Sequence, residues 1–129
     1  MTDTRFNRSA KAILVVDDDP DIRFVCRDRL EHLGYLVHCA DSGEHALAVL
    51  STHDIHAMVL DLHLPGLQGA EVLRLTRKQG LGLPILLISA SHFGQADELL
   101  NVQGAQGFLA KPFANEEFDR WVTQWVGSP

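Results

Sequence analysis

Four short, unbroken apolar runs recur at fairly even intervals along the chain: Ile13 to Val16, Ala57 to Leu60, Ile85 to Ile88, and the weaker Gly107 to Ala110. Runs this short that do not alternate with polar residues suit strands buried on both faces, as in a parallel sheet. A fifth strand candidate, Tyr35 to Cys39, lies between the first two. The connecting stretches have helical periodicity. Ile22, Val25, Cys26, Leu30 and Leu33 form a stripe behind Pro20, which suits a first turn, and Gly34 supplies the stop. Ala46, Leu47 and Leu50 mark a second helix over Gly43 to Leu50, and Val72, Leu73 and Thr76 mark a third over Ala70 to Lys78, closed by Gly80. Phe118, Trp121, Val122, Trp125 and Val126 follow a helical stripe behind Asn115 as N-cap, with Glu116 and Glu117 in the first turn. The stretch from Ser91 to Gln103, with few apolar positions, reads as a mobile helix. Strands alternating with helices imply right-handed βαβ units, so the expected fold is α/β: a five-stranded doubly wound parallel sheet with five helices.

The 129 residues have room for one domain. We expect it to span 11–126, after a loose N-terminal extension at 1–10 and before a tail at 127–129. Hydrophobic content of 46% with 22% charged residues is that of a packed globular domain and excludes a disordered chain. A net charge of −6 repels nucleic-acid phosphates and anionic lipid, so neither direct nucleic-acid binding nor membrane association is expected. No apolar run approaches the roughly 18 residues a membrane helix needs. Met1 to Ala10 has no apolar core of a secretory signal. Cys26 and Cys39 have no zinc or redox spacing. A reduced, cytoplasmic setting is the expectation.

In an open parallel sheet the ligand site lies beyond the carboxyl ends of the strands. The first run ends in Asp17, Asp18 and Asp19, the second in Asp61, the third in Ser89 and the fourth in Lys111. Singly each has an ordinary reading: Asp19 before Pro20 is a helix cap, Ser89 a turn hydroxyl, Lys111 a solvated loop lysine. Together they bring carboxylates, a hydroxyl and an ammonium to one rim. Asp17, Asp18 and Asp61 at close range repel one another unless a cation sits among them, and a few hard oxygen ligands point to Mg²⁺ completed by water and phosphate. Such an ion, with Lys111, can neutralise a phosphoryl group as it passes to a carboxylate. Asp61 is the natural nucleophile, giving an aspartyl phosphate.

The segments Ile13-Leu-Val-Val-Asp-Asp-Asp-Pro20, Val59-Leu-Asp-Leu-His-Leu-Pro-Gly66, Ile88-Ser-Ala90 and Lys111-Pro-Phe113, with their spacings, resemble the receiver domain of two-component response regulators over roughly Lys11 to Val126. The resemblance implies a flavodoxin-like receiver topology and a phosphoacceptor at Asp61. It also implies Mg²⁺ ligands at Asp17, Asp18, Asp61 and the backbone carbonyl of His63. Phosphoryl contacts fall to Ser89 and Lys111, and a cis peptide bond to Pro112. It implies a switch in which Ser89 moves toward the phosphoryl group and Phe108 turns inward behind it; plain core packing is the other reading of Phe108. His63 and Ser91 stand at rim positions that tune the lifetime of the phosphoryl group. The side chain of His63 is read as incidental, as are His32, His38, His45, His53, His56 and His92. The implied partners are a sensor histidine kinase or histidine phosphotransfer domain as donor, and a downstream protein or output domain at the 91–126 face. The chain is expected as a monomer or a phosphorylation-dependent dimer.

Four functions compete at this stage. A phospho-accepting switch is not an enzyme apart from self-catalysed transfer to, and hydrolysis from, Asp61. A phosphatase working through an aspartyl phosphate usually places a second acid two residues after its nucleophile, where this chain has His63. A flavin or nucleotide carrier needs a Gly-rich or hydroxyl-rich loop after the first strand, where this chain has Asp17-Asp18-Asp19-Pro20. A receiver-like scaffold that binds a partner constitutively, without phosphorylation, is the remaining alternative.

Overall fold

The computed structural model describes residues 10–90 and 104–129. Its elements run β1 (Ala12–Val16), α1 (Pro20–His32), β2 (Leu36–Ala40), α2 (Gly43–Thr52), β3 (Ala57–Asp61), α3 (Gly69–Lys78), β4 (Ile85–Ser89), β5 (Gly107–Ala110) and α4 (Asn115–Trp125). The five strands form one sheet in the order β2-β1-β3-β4-β5, all pairs parallel. This is the flavodoxin-like doubly wound order. The expected N-terminal extension, apart from Ala10, and the expected helix over Ser91 to Gln103 lie outside the described residues.

The two-sided burial of the sheet explains the unbroken apolar runs. Leu14, Val16, Met58, Leu60, Ile85 and Leu87 point to one face, where Ala46 and Val49 of α2 and Val72 and Leu73 of α3 close over them. Ile13, Val15, Val59, Leu86 and Ile88 point to the other, beneath Cys26 and Leu30 of α1 and Phe118, Trp121 and Val122 of α4. Successive residues of a strand face opposite ways, so a sheet covered on both sides needs apolar side chains at every position.

The helices start for visible reasons, and the sequence reading departs from the structure at Val25, at the exposed Trp125 and at the cap of α4. In α1 the Asp19 carboxylate accepts from the Asp21 N–H and Pro20 opens the first turn. Val25, expected on the buried stripe, is 51% exposed. The buried row is the i, i+4 line through Ile22, Cys26 and Leu30; Val25 belongs to the next row, which continues in the charged Arg29. In α4 the cap is Ala114, whose carbonyl accepts the Phe118 N–H, and Asn115 is already helical. No side chain caps this start.

Gly69, at the start of α3, packs against the end of β3. A Cβ placed there would stand 2.2 Å from the Asp61 carbonyl oxygen and 2.7 Å from the Leu62 Cα. Only backbone is in the way, so relief requires α3 or β3 to move. We expect Gly69→Ala to cost about 2–3 kcal/mol and to lower the thermal midpoint by about 10 °C in calorimetry. The control Gly82→Ala, where a Cβ meets nothing within 4 Å, should stay within about 0.5 kcal/mol of the parent.

Candidate functional site

Strand register brings the rim together. Val16 is level with Leu60, so Asp17 and Asp61 leave adjacent strands side by side; Asp61 is level with Ile88, and Ser89 with Ala110. Backbone bonds continue the ladder past the strand ends: Asp17 N–H to the Ala40 carbonyl at 3.1 Å, Leu62 N–H to Ile88 at 3.0 Å, and Lys111 N–H to Ser89 at 2.8 Å. Asp17, Asp61 and Ser89 are buried, while Asp18 is exposed above them.

The Lys111 ammonium lies between the two buried carboxylates. Its Nζ donates to Asp61 Oδ2 at 3.2 Å and stands 2.8 Å from Asp17 Oδ2. The second contact is an ion pair by distance but lacks the angle of a hydrogen bond, so the buried Asp17 Oδ2 receives none. The other oxygens are held by backbone: Asp61 Oδ1 accepts from the His63 N–H at 3.0 Å, and Asp17 Oδ1 from the Asp19 N–H at 2.9 Å. Burial pushes the Asp61 carboxyl above the ordinary carboxylate range; the His63 N–H opposes this, the charge of Asp17 adds to it, and Lys111 opposes it. Burial works against the Lys111 ammonium, but Asp17 and Asp61 outweigh it and its pKa is raised.

Asp17, Asp18 and Asp61 each offer an oxygen, and these atoms lie within 4.8 Å of one another. Three carboxylates therefore face one ammonium. A hard divalent cation fits this donor set: it would balance the surplus charge and give the buried Asp17 Oδ2 a partner besides the Lys111 ion pair.

The remaining expected residues are placed as follows. The Lys111–Pro112 bond is cis. His63 is exposed at the rim, and its backbone N–H, donating to Asp61, is part of the site. Phe108 is half-buried and packs against the face that α2 and α3 cover. It also lines a shallow surface cleft with Leu86, Glu117, Arg120, Trp121 and Gln124. Ser91 lies outside the described residues, as does His92. Sequence reasoning missed Arg23, whose Nη1 donates to the Asp17 carbonyl at 2.8 Å and ties α1 to the β1 exit. The i, i+6 offset between the two carries no helical or strand signal that could have singled it out.

The fold and the rim together define a doubly wound α/β domain with three carboxylates and a lysine at the carboxyl ends of its strands. Residues 13–123 match the response regulator receiver domain family. The chain belongs to that family. It is 40% identical over 113 residues to the alkaline phosphatase synthesis transcriptional regulatory protein PhoP of Bacillus subtilis, covering 87% of this chain and 47% of PhoP. It is 34% identical over 114 residues to the probable transcriptional regulator ycf27 of Cyanidium caldarium, covering 88% and 45%. The chain thus spans about half the length of these curated relatives. Among solved structures it is similar to the response regulator TrrA of Thermotoga maritima in complex with Mg²⁺–BeF (30% identity, TM-score 0.78, covering 89% of this chain and 98% of that one). It is also similar to the receiver domain of a sensor histidine kinase of Pseudomonas aeruginosa, which has a magnesium ion in its active-site cleft (30% identity, TM-score 0.81, covering 93% and 100%).

The buried charge has a measurable cost. A carboxyl whose pKa is raised on folding contributes its full stability below its unfolded value, near 3.8, and loses it as the pH rises through the folded value. Asp61→Asn removes that loss. In the absence of divalent cations the variant should melt above the parent at pH 7, by on the order of 1 kcal/mol or about 4 °C. The difference should shrink toward pH 3, as followed by thermal melts across the range.

Proposed function

We propose that this chain is the phospho-accepting switch of a two-component phosphorelay, with Asp61 taking a phosphoryl group from a phosphohistidine. The observation that carries this reading is the holding of the Asp61 carboxylate. One oxygen is fixed by the His63 N–H and the other by Lys111, at the mouth of a doubly wound sheet. Transfer forms a bond from an Asp61 carboxylate oxygen to phosphorus as the bond from phosphorus to the donor's imidazole nitrogen breaks, and that nitrogen leaves with the electron pair. Asp17, Asp18 and Asp61, with the backbone carbonyl of His63, would hold Mg²⁺. When bound, the ion supplies neutralisation of charge on the phosphoryl oxygens.

The chain's own groups do the positioning. Lys111, already directed at Asp61 Oδ2, is within reach of a phosphoryl oxygen attached there, and the hydroxyl of Ser89 serves another. The module is not an enzyme beyond accepting and slowly hydrolysing this group. Ser89 and Phe108 form the two-state element, and the 91–126 face presents the result to a downstream protein or output domain. Among the described residues no helix is long and apolar enough to cross a membrane, and we place the protein in the cytoplasm beside a histidine kinase or phosphotransfer donor.

Incubation with Mg²⁺ and a small acyl phosphate should add one phosphoryl mass, about 80 Da, to the intact chain. The adduct should be absent without Mg²⁺ and in Asp61→Asn. Failure to form it under rapid quenching would overturn the reading in favour of a constitutive scaffold. Asp18→Ala should leave the acceptor in place but raise the Mg²⁺ concentration needed, by about tenfold, for half-maximal labelling.

A further inference from the structure

Of the three carboxylates that gather at the rim, Asp18 alone is exposed, so burial does not set its direction. Its backbone does. The peptide group before Asp18 has its carbonyl, that of Asp17, held by Arg23 Nη1 at 2.8 Å. The peptide group after it has its N–H, that of Asp19, held on Asp17 Oδ1 at 2.9 Å. Each peptide group is a rigid plane, and a residue has only two soft backbone angles, one toward each plane. With both planes tied to neighbours, the direction in which Asp18 projects its side chain is fixed as well.

The ties converge on Arg23. Its backbone N–H donates to the Asp19 carbonyl at 3.1 Å, the bond that opens α1, so one residue grips the loop at two points. Asp17 is anchored in turn by its own N–H on the Ala40 carbonyl at 3.1 Å. Among these bonds Arg23 Nη1 is the side-chain donor, the one a substitution can remove without touching a carboxylate. Charge alone would give Arg23 the opposite role. A guanidinium beside a site for a divalent cation repels that cation, so any help it gives must come through the loop.

We infer that Arg23 is a positioning residue for the carboxylate rim. By holding the Asp17 carbonyl it keeps Asp18 directed toward Asp17 and Asp61, and so sets the affinity of the rim for a divalent cation. This rests on the reading of the rim as a Mg²⁺ site.

Calorimetric titration of Mg²⁺ into the full chain, with no phosphoryl donor present, reads that affinity directly. Arg23→Met and Arg23→Gln both remove the guanidinium, and each should raise the Mg²⁺ dissociation constant on the order of tenfold. Circular dichroism checks both, and the comparison stands if either one fails to fold. Arg23→Lys, which restores a cationic donor, should recover part of the loss. Arg27→Met takes the same charge from the next turn of α1, where the guanidinium pairs with Glu31 at 3.2 Å, and should stay within about twofold of the parent. A further readout needs no metal. In amide hydrogen exchange of the metal-free chain, the Asp19 N–H should exchange faster in Arg23→Met than in the parent, while the amides of β3 keep their rates. Variants at Arg23 that bind Mg²⁺ as tightly as the parent, or more tightly as the loss of a positive charge alone predicts, would overturn the inference and leave Arg23 as a structural tie. A parent that takes up no Mg²⁺ would overturn the Mg²⁺ reading of the rim, and this inference with it.

Discussion

The ammonium of Lys111 between Asp17 and Asp61 is the interaction on which the rest of the site depends. Two carboxylates emerge side by side from adjacent central strands, buried among apolar side chains, where an uncompensated charge is costly. One cation from the far end of the chain reaches both. It offsets only part of the charge: one Asp17 oxygen has no hydrogen bond, and Asp61 resists ionisation. The protein thus carries a standing electrostatic deficit at the point where a divalent cation and a phosphoryl group would enter. A cation held there would offset that charge.

How much of this was legible in the sequence depends on whether a feature is local. The unbroken runs ending in Asp17, Asp61, Ser89 and Lys111 identified strands and rim together, because burial on both faces and function at the carboxyl ends are written at consecutive positions. Asp19 before Pro20 announced the start of α1 for the same reason, since cap and first turn are neighbours. Features made by contact across elements were not legible. Arg23 on the Asp17 carbonyl depends on where α1 crosses the sheet, and the meeting of His38 with His53 depends on how α2 returns along β2. Val25 was misplaced because a helical stripe read from sequence has no fixed width; the packing of α1 against the sheet decides that only one row is buried. The cap of α4 stands at Ala114, one residue before the Asn115 that side-chain preference favours, and no side-chain bond marks it.

The way the rim residues are held bears on how a change at Asp61 could be felt elsewhere. Each strand exit is tied by a backbone bond to the neighbouring strand: Asp17 to Ala40, Leu62 to Ile88, Lys111 to Ser89. These bonds do not titrate and do not involve the functional side chains, so the scaffold keeps its register while charge at the rim changes. What can respond is the side-chain layer, chiefly Lys111, which stands between the carboxylates of Asp17 and Asp61. Phe108 is half-buried on the face that α2 and α3 cover, and it borders the shallow cleft that Trp121 of α4 also lines. At the opposite pole the chain is tethered: Lys11 Nζ donates to the Val126 carbonyl at 2.7 Å and the Tyr35 hydroxyl to that of Gly127. With the Arg29–Asp119 ion pair these bonds hold α4 against α1 and β1. The α1 and chain-end side of the sheet is therefore held by side-chain bonds as well as by the ladder.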